Sequence, residues 1–265
     1  MVNELHKLIS FRNNEKEWTP IQYDNYIMSR DETVQSLLMG MAFLTFFSWI
    51  FYRSIIFTII LQPFSVIYIK MRKIKLLNKR KWELTLQFRE GVNALVASLG
   101  AGYSVENAFI QAIQDLRLMY GEEAMIIQEF EYIVYQISIN ITVEEAMNQF
   151  AARSDIEDIK SLAEVFITAK RSGGDFIKIL RSSSKIIGDK IEVYREIQTL
   201  MTAKKYEANI MSFIPVGIIL YMWVFSPGFL DPLYHNIVGI FIMTLALGIY
   251  MIAYRLMVKI VTIKV

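Results

Sequence analysis

The stretch ANIMSFIPVGIILYMWVFSPGFL, residues 208–230, contains no Asp, Glu, Lys or Arg. Roughly 20 consecutive apolar residues carry a helix across a bilayer core, so this stretch reads as a membrane span. Three more uncharged runs share its character: Thr33 to Tyr52, Ser54 to Ile69, and Pro232 to Tyr254. Ser54 to Ile69 is the short one, and Lys70 can snorkel to extend it. Arg53, between the first two runs, is costly at a bilayer centre and tolerable at its surface. A tight helical hairpin is therefore expected there in preference to one long helix. The chain is 54% hydrophobic and 20% charged, so much of its surface is expected to face lipid.

The first run follows a polar stretch holding Lys7, Arg12, Lys16 and Arg30 among six carboxylates. A secretory signal is not laid out in that way, and the first apolar segment is expected to be retained. Orientation follows from the basic residues. Lys70, Arg72, Lys73, Lys75, Lys79, Arg80 and Lys81 come with no carboxylate between them, and Lys204 with Lys205 precedes the third run. The turn Ser226 to Asn236 has neither Lys nor Arg, whereas Arg255, Lys259 and Lys264 follow the fourth run. The expected fold is all-α: an integral membrane protein with two transmembrane helical hairpins flanking a cytoplasmic helical bundle. Its parts are a cytoplasmic segment 1–32, a hairpin 33–69, the helical domain 70–207, a hairpin 208–254 and a cytoplasmic tail 255–265.

The block Lys70 to Glu207 has no proline, as a series of helices requires. A helix over Leu84 to Leu99 is closed by Gly100 and Gly102, and the next starts after Ser104 and stops near Gly121. Capping boxes at Thr142 with Glu145 and at Ser154 with Glu157 predict two further starts. Gly173 and Gly174 break the chain again. From Asp175 a long helix carries Phe176, Leu180, Ile187, Ile191, Tyr194 and Met201 at helical spacing and runs into the third span. Pro63 and Pro215 are expected to kink their helices. Gly102-Tyr-Ser-Val-Glu-Asn-Ala108 set over Asn140-Ile-Thr-Val-Glu-Glu-Ala146 shares a turn residue, a hydroxyl cap, Val, Glu and Ala. Many capped helices look like this, and a duplicated helical unit is the alternative reading.

These residues resemble the bacterial type II secretion F family and, within it, the TadB-like platform proteins of tight-adherence (Flp) pilus systems. The likeness runs from Glu83 to Val265. It rests on Leu99-Gly-Ala-Gly102-Tyr-Ser with Ala108, on Thr142 to Arg153 with Ala146 and Phe150-Ala-Ala-Arg153, and on Gly173-Gly174-Asp175 with Leu180. It continues through Ala203, Ala208 and Ile214-Pro215, then Pro227 to Leu233, to the closing Val258 to Val265. Asn140 departs from it, since similar proteins usually place glycine there; Asn is the next best residue for a left-handed backbone. The resemblance implies a non-enzymatic plasma-membrane platform, homo- or hetero-oligomeric. Its cytoplasmic helices would contact a hexameric secretion ATPase and a second platform protein of the same family, and its spans would pass prepilin subunits into a filament. A transporter or transporter accessory subunit is the alternative, although spans free of charge lack the buried ionisable path that transport of ions usually needs.

Chemistry on the chain itself is sparse. Without cysteine, and with only His6 and His235, thiol chemistry and Cys/His zinc sites are excluded. Glu122, Glu123, Glu129 and Glu131 read as a solvated helix face in preference to a metal site. His235, beside Asp231 and Pro232, reads as a polar interfacial residue in preference to a pH sensor. Ser182-Ser-Ser184 has no paired histidine, and Gly173-Gly174 lacks the Lys-Ser or Lys-Thr of a phosphate loop, so no cofactor is expected. A net charge of +2 gives no case for nucleic acid. The basic run Lys70 to Lys81 suits anionic lipid headgroups or an acidic partner, and lipid alone accounts for it at about 1 kcal/mol per basic residue near the surface. Partner contact is expected at loop-exposed positions: Gly102, Ser104, Arg153, Asp155, Lys170, Arg171, Gly173, Gly174 and Asp175.

The expected topology is directly testable because the chain has no native cysteine. A cysteine at Ser138 should resist a membrane-impermeant thiol reagent in intact cells and react after permeabilisation. Labelling from outside would reverse the orientation.

Overall fold

The computed structural model describes residues 21–172, 176–234 and 236–261, with backbone only for 169–172. Every regular element among them is helical. In chain order they are α1 (Arg30–Tyr52), α2 (Ile55–Leu61), α3 (Ser65–Gly100), α4 (Val105–Tyr120), α5 (Met125–Ser138), α6 (Val143–Ser154), α7 (Glu157–Ser172), α8 (Phe176–Phe225) and α9 (Ile237–Val261). Short 3-10 turns occupy Gln62–Phe64 and Asp231–Leu233. The chain divides into two compact units. A bundle unit contains the described residues up to Tyr26 together with Ile74–Ile191, and an apolar unit contains Ile27–Lys73 and Glu192–Val265.

In the bundle unit the predicted echo is a duplicated helix–turn–helix. Gly102 and Asn140, 38 positions apart, both adopt a left-handed backbone, φ 91° and 67°. The turns carry the same hydrogen bonds: Gly102 N–H donates to Leu99 O and Tyr103 N–H to Ser98 O, while Asn140 N–H donates to Ile137 O and Ile141 N–H to Gln136 O. Ser104 Oγ then accepts from Asn107 N–H and Thr142 Oγ1 from Glu145 N–H. Each new helix buries an alanine at the same offset, Ala108 and Ala146. Asn140 fills the glycine position because its short polar side chain tolerates that backbone.

The core of the unit is set by apolar residues at helical spacing on each element. Phe109 meets Phe130 edge to face at 5.0 Å, and Phe88 meets Phe150 at 5.9 Å. In the bundle part of α8 the buried positions are Leu180, Ser184, Ile187 and Ile191, so its inward stripe keeps helical spacing. Ser184 and Gly188 of α8 sit against Asn93 and Arg89 of α3, which makes the two helices antiparallel. The N-cap position of α5 is Ala124, whose side chain cannot cap. Gln87 Oε1 on α3 accepts from Ile126 N–H at 3.1 Å and satisfies that end instead.

Two boundaries differ from expectation. Ser154 does not open α7; it closes α6, wholly buried, with Asp155 after it in the left-handed region at φ 50°. Its hydroxyl donates to Ala151 O and accepts from Ile156 N–H, two residues on rather than three. The helix expected over Leu84 to Leu99 starts at Ser65, because Lys and Arg are good helix formers and nothing in the basic run interrupts it. The predicted break at Gly173 and Gly174 lies outside the described residues, as do His6 and His235.

In the apolar unit the chain reverses at Arg53, φ 44°. Thr58 Oγ1 donates to Ser48 Oγ at 2.9 Å and Gln62 Nε2 to Thr45 Oγ1 at 2.9 Å, so α2 runs back along α1. Pro63 sits in the 3-10 turn between α2 and α3, whereas Pro215 lies within α8. The run Ala208 to Leu230 is helical only to Phe225, and its last residues turn the chain towards α9. Gly239 lets that turn pack on α9: a Cβ there would stand 2.5 Å from Leu233 O. Tyr250 Oη donates to Ser212 O, Tyr52 and Thr244 hydroxyls share a hydrogen bond, and Tyr234 Oη donates to Ile50 O. The two chain reversals therefore lie at the same end of this unit.

The equivalence of the two turns predicts unequal responses to substitution. Gly102→Ala should destabilise the protein by about 1 kcal/mol, since the backbone there is left-handed and no neighbour crowds the added methyl. Asn140→Gly should be neutral or slightly stabilising. Thermal unfolding of the detergent-solubilised chain, followed by near-UV circular dichroism, distinguishes the two; equal shifts would refute the equivalence.

Candidate functional site

The expected contact residues fall at two separate ends of the bundle unit. Lys81 Nζ on α3 donates to Asp155 Oδ2 at 2.9 Å and to Asp155 O at 3.2 Å, so the α6–α7 junction lies against the start of this part of α3. Gly100, where α3 ends, is 19 residues further along the same helix, about 28 Å away at 1.5 Å per residue. Gly102 and Ser104 are exposed at that far end. Phe176 starts α8 there, since α8 runs antiparallel to α3. Gly102 and Ser104 are therefore not brought together with Arg153 and Asp155. The side chains of Lys170 and Arg171, and all of Gly173, Gly174 and Asp175, lie outside the described residues.

Arg153 is not loop-exposed either. Its guanidinium makes a two-pronged pair with Glu129, Nη1 to Oε1 at 3.1 Å and Nη2 to Oε2 at 2.8 Å. The side chains are 13% and 2% exposed, so this is an interior ion pair. Arg153 also stacks 5.1 Å from the Tyr132 ring centroid and donates to Ile21 O at 3.3 Å. Tyr23 N–H in turn donates to Arg153 O at 3.1 Å, which ties the segment before α1 to the end of α6. Tyr23 is fully buried, with Arg80 over its ring at 5.1 Å. Residues 21–23 of the polar stretch thus form a strap on the bundle.

Electrostatics at this end follow from burial. Burial raises the Glu129 carboxyl above its usual range, and the Arg153 pair opposes the shift. Burial also pushes the Tyr23 phenol up, helped by the negative charge of Glu129, which its hydroxyl faces outside hydrogen-bond geometry. Asp155 behaves oppositely: hydrogen bonds from Lys160 at 2.6 Å and from Lys81 lower its carboxyl to about 2. The expectation that these glutamates are solvated holds for the exposed Glu122 and Glu123 and is corrected at Glu129, which is buried, while Glu131 Oε1 accepts from Arg117 Nη2 at 2.7 Å. The sequence held a sign of this, because Glu129 lies between Ile126, Phe130 and Ile133 on the apolar face of α5. No group of three or more His, Asp or Glu among the described residues is placed to hold a metal ion.

The other functional surface is apolar. Among the described residues, four helices are long and apolar enough to cross a membrane: Arg30–Tyr52, Ile55–Gly100 with its one 3-10 turn, Phe176–Phe225 and Ile237–Val261. Many of the large side chains in their uncharged runs are exposed; Ile56, Ile214 and Phe241 are more than half so. Residues 92–224, half of the 265-residue chain, match the family of type II secretion system (T2SS), protein F. The chain belongs to the type II secretion system protein F family. The match takes in the duplicated helix–turn–helix, α7 and nearly all of α8. No curated protein and no solved structure matches the chain. Membership in the protein F family points to a non-catalytic membrane platform of a secretion or pilus system, and the four apolar helices accord with an inner-membrane location.

Two substitutions separate scaffold from contact at the strap end. Glu129→Gln leaves Arg153 without its counter-charge and should cost about 3 kcal/mol, whereas Glu129→Leu with Arg153→Met should cost much less. Chemical unfolding of the solubilised chain reads both, and a mild Glu129→Gln would mean that Arg153 is free for another role. For Asp155 the folded carboxyl is lower than the unfolded one, so its stabilisation is present above about pH 4 and lost as pH falls through about 2. Asp155→Asn keeps the left-handed cap and should flatten that acid limb in a pH titration of unfolding. The change at neutral pH should be small because the pair is exposed and screened.

Proposed function

We propose that this protein is the TadB-like inner-membrane platform of a tight-adherence pilus or a related type II secretion machine. In this reading the apolar unit crosses the membrane as two hairpins with both chain reversals outward. The bundle unit is cytoplasmic, contacts a hexameric secretion ATPase and a second platform protein, and passes the movement to spans that hand prepilin subunits into a filament. The observation that supports it is α8, a helix of 50 residues with Pro215 inside it, whose first residues belong to the bundle unit and whose last belong to the apolar unit. A Gly/Ser-rich linker in its place would absorb a tilt or rotation, and a continuous helix transmits it.

Some of the expected contact positions already have partners within the chain. Arg153 is occupied by Glu129, and Asp155 by Lys81 and Lys160. The ATPase surface proposed here is therefore the far end, around Gly102, Ser104 and the end of α7, which carries Lys170 and Arg171. The basic run from Lys70 then serves anionic headgroups. Lys170→Glu with Arg171→Glu should abolish co-purification of the ATPase and filament export, with membrane insertion and expression unchanged. Normal capture of the ATPase by this double variant would remove the far end from consideration.

A further inference from the structure

Arg53 is the one ionisable charge between Thr33 and Ile69, and the reversal between α8 and α9 supplies no Lys or Arg. In the apolar unit it is set in an aromatic cleft. Its guanidinium lies 5.3 Å from the ring centroid of Trp223 and 5.9 Å from that of Tyr234. Trp49, Ile50, Ile219 and Leu220 complete the lining. The ring of Tyr234 is held in place by its own hydrogen bond to Ile50 O at 2.9 Å. Arg53 makes no ion pair among the described residues, Asp231 included.

Ring faces stabilise a cation but offer its N–H groups no acceptor oxygen. A guanidinium carries five donors in one plane, a geometry that two oxygens of a phosphate meet together. Tryptophan and tyrosine gather at the level of lipid headgroups, and Arg53 shares its end of the unit with both chain reversals. Such a position puts a preorganised cation where phosphate is abundant and water is partly excluded.

We propose that Arg53, clamped between Trp223 and Tyr234, is a binding site for the phosphate of a phospholipid headgroup. It anchors the α1–α2 reversal to the bilayer surface opposite the basic run. This inference rests on the reading that the apolar unit crosses a bilayer. The guanidinium supplies the charge and paired donors, the rings hold its plane, and Ile219 and Leu220 face the first carbons of the lipid chains.

The test uses the full chain in detergent, incubated with dioleoylphosphatidylethanolamine and read by native mass spectrometry for retained lipid. The wild type should keep a phospholipid adduct, and Arg53→Gln should weaken that adduct about tenfold or more. Arg53→Lys should fall between them, because it keeps the charge and loses the paired donors, and Trp223→Leu should weaken retention with Arg53 intact. Dioleoylglycerol, which lacks the phosphate, should give no adduct, and excess inorganic phosphate should not displace the lipid. Displacement by inorganic phosphate would make the ligand a free anion and overturn the lipid assignment. Equal retention by wild type and Arg53→Gln, or no adduct on either, would overturn the site. Extraction of the wild type from membranes by alkaline carbonate would remove the spanning reading itself, whereas a carbonate-resistant chain with unchanged lipid retention removes only the Arg53 site.

Discussion

A helix satisfies its own backbone hydrogen bonds, and that property decides what can be done with an outward-facing apolar surface. In the apolar unit α1, α2, α8 and α9 turn isoleucine, phenylalanine and valine away from one another, with Ile56 69%, Ile218 55% and Phe241 68% exposed. Among the described residues, its buried hydrophobic cluster is a small one around Ile50, Phe51, Val216, Tyr234 and Met243. In water such a surface forfeits the gain that drives folding, at about 25 cal/mol per Å² of apolar area. In hydrocarbon it costs nothing, and the internal packing can be thin. The bundle unit shows the opposite economy, with a continuous buried core and charged residues outside or paired.

That contrast explains which features were legible in the sequence. The membrane-length runs were visible because absence of charge over 20 residues is a length-scale signal that tolerates error at either end. The helices of the bundle were visible through periodicity and through hydroxyl caps at Ser104 and Thr142. Ser154 misled because its spacing to Glu157 matches a capping box while its neighbours Phe150 and Ala151 pull it into the core. Local chemistry proposed a cap, and burial decided otherwise. Arg153 and Glu129 are 24 positions apart, so no local pattern could pair them. The strap formed by Ile21 and Tyr23 was equally hidden, since a short irregular segment acquires meaning only from what it docks against.

The expected contact positions do not all share one end, because successive antiparallel helices send alternate loops to opposite ends of a bundle. The strap end is tied down by the Glu129–Arg153 pair, by Lys81 and Lys160 on Asp155, and by Lys190 on Asp158 at 2.7 Å. It is also the end at which α3 enters and α8 leaves the bundle. The duplicated helix–turn–helix leaves the other end, with its exposed Gly102 turn and the Asn140 turn, comparatively unencumbered.

The measurement that bears most directly on this account is the accessibility of nitroxide labels on single cysteines in lipid bilayers. Labels at Ile56, Ile60, Ile218, Phe241 and Leu245 should relax with dissolved oxygen and be shielded from a water-soluble nickel chelate. Labels at Leu118 and Met119, which are just as exposed but belong to the bundle unit, should show the reverse. Chelate access at the first set equal to that at Leu118 would contradict the claim that the outward apolar faces meet lipid.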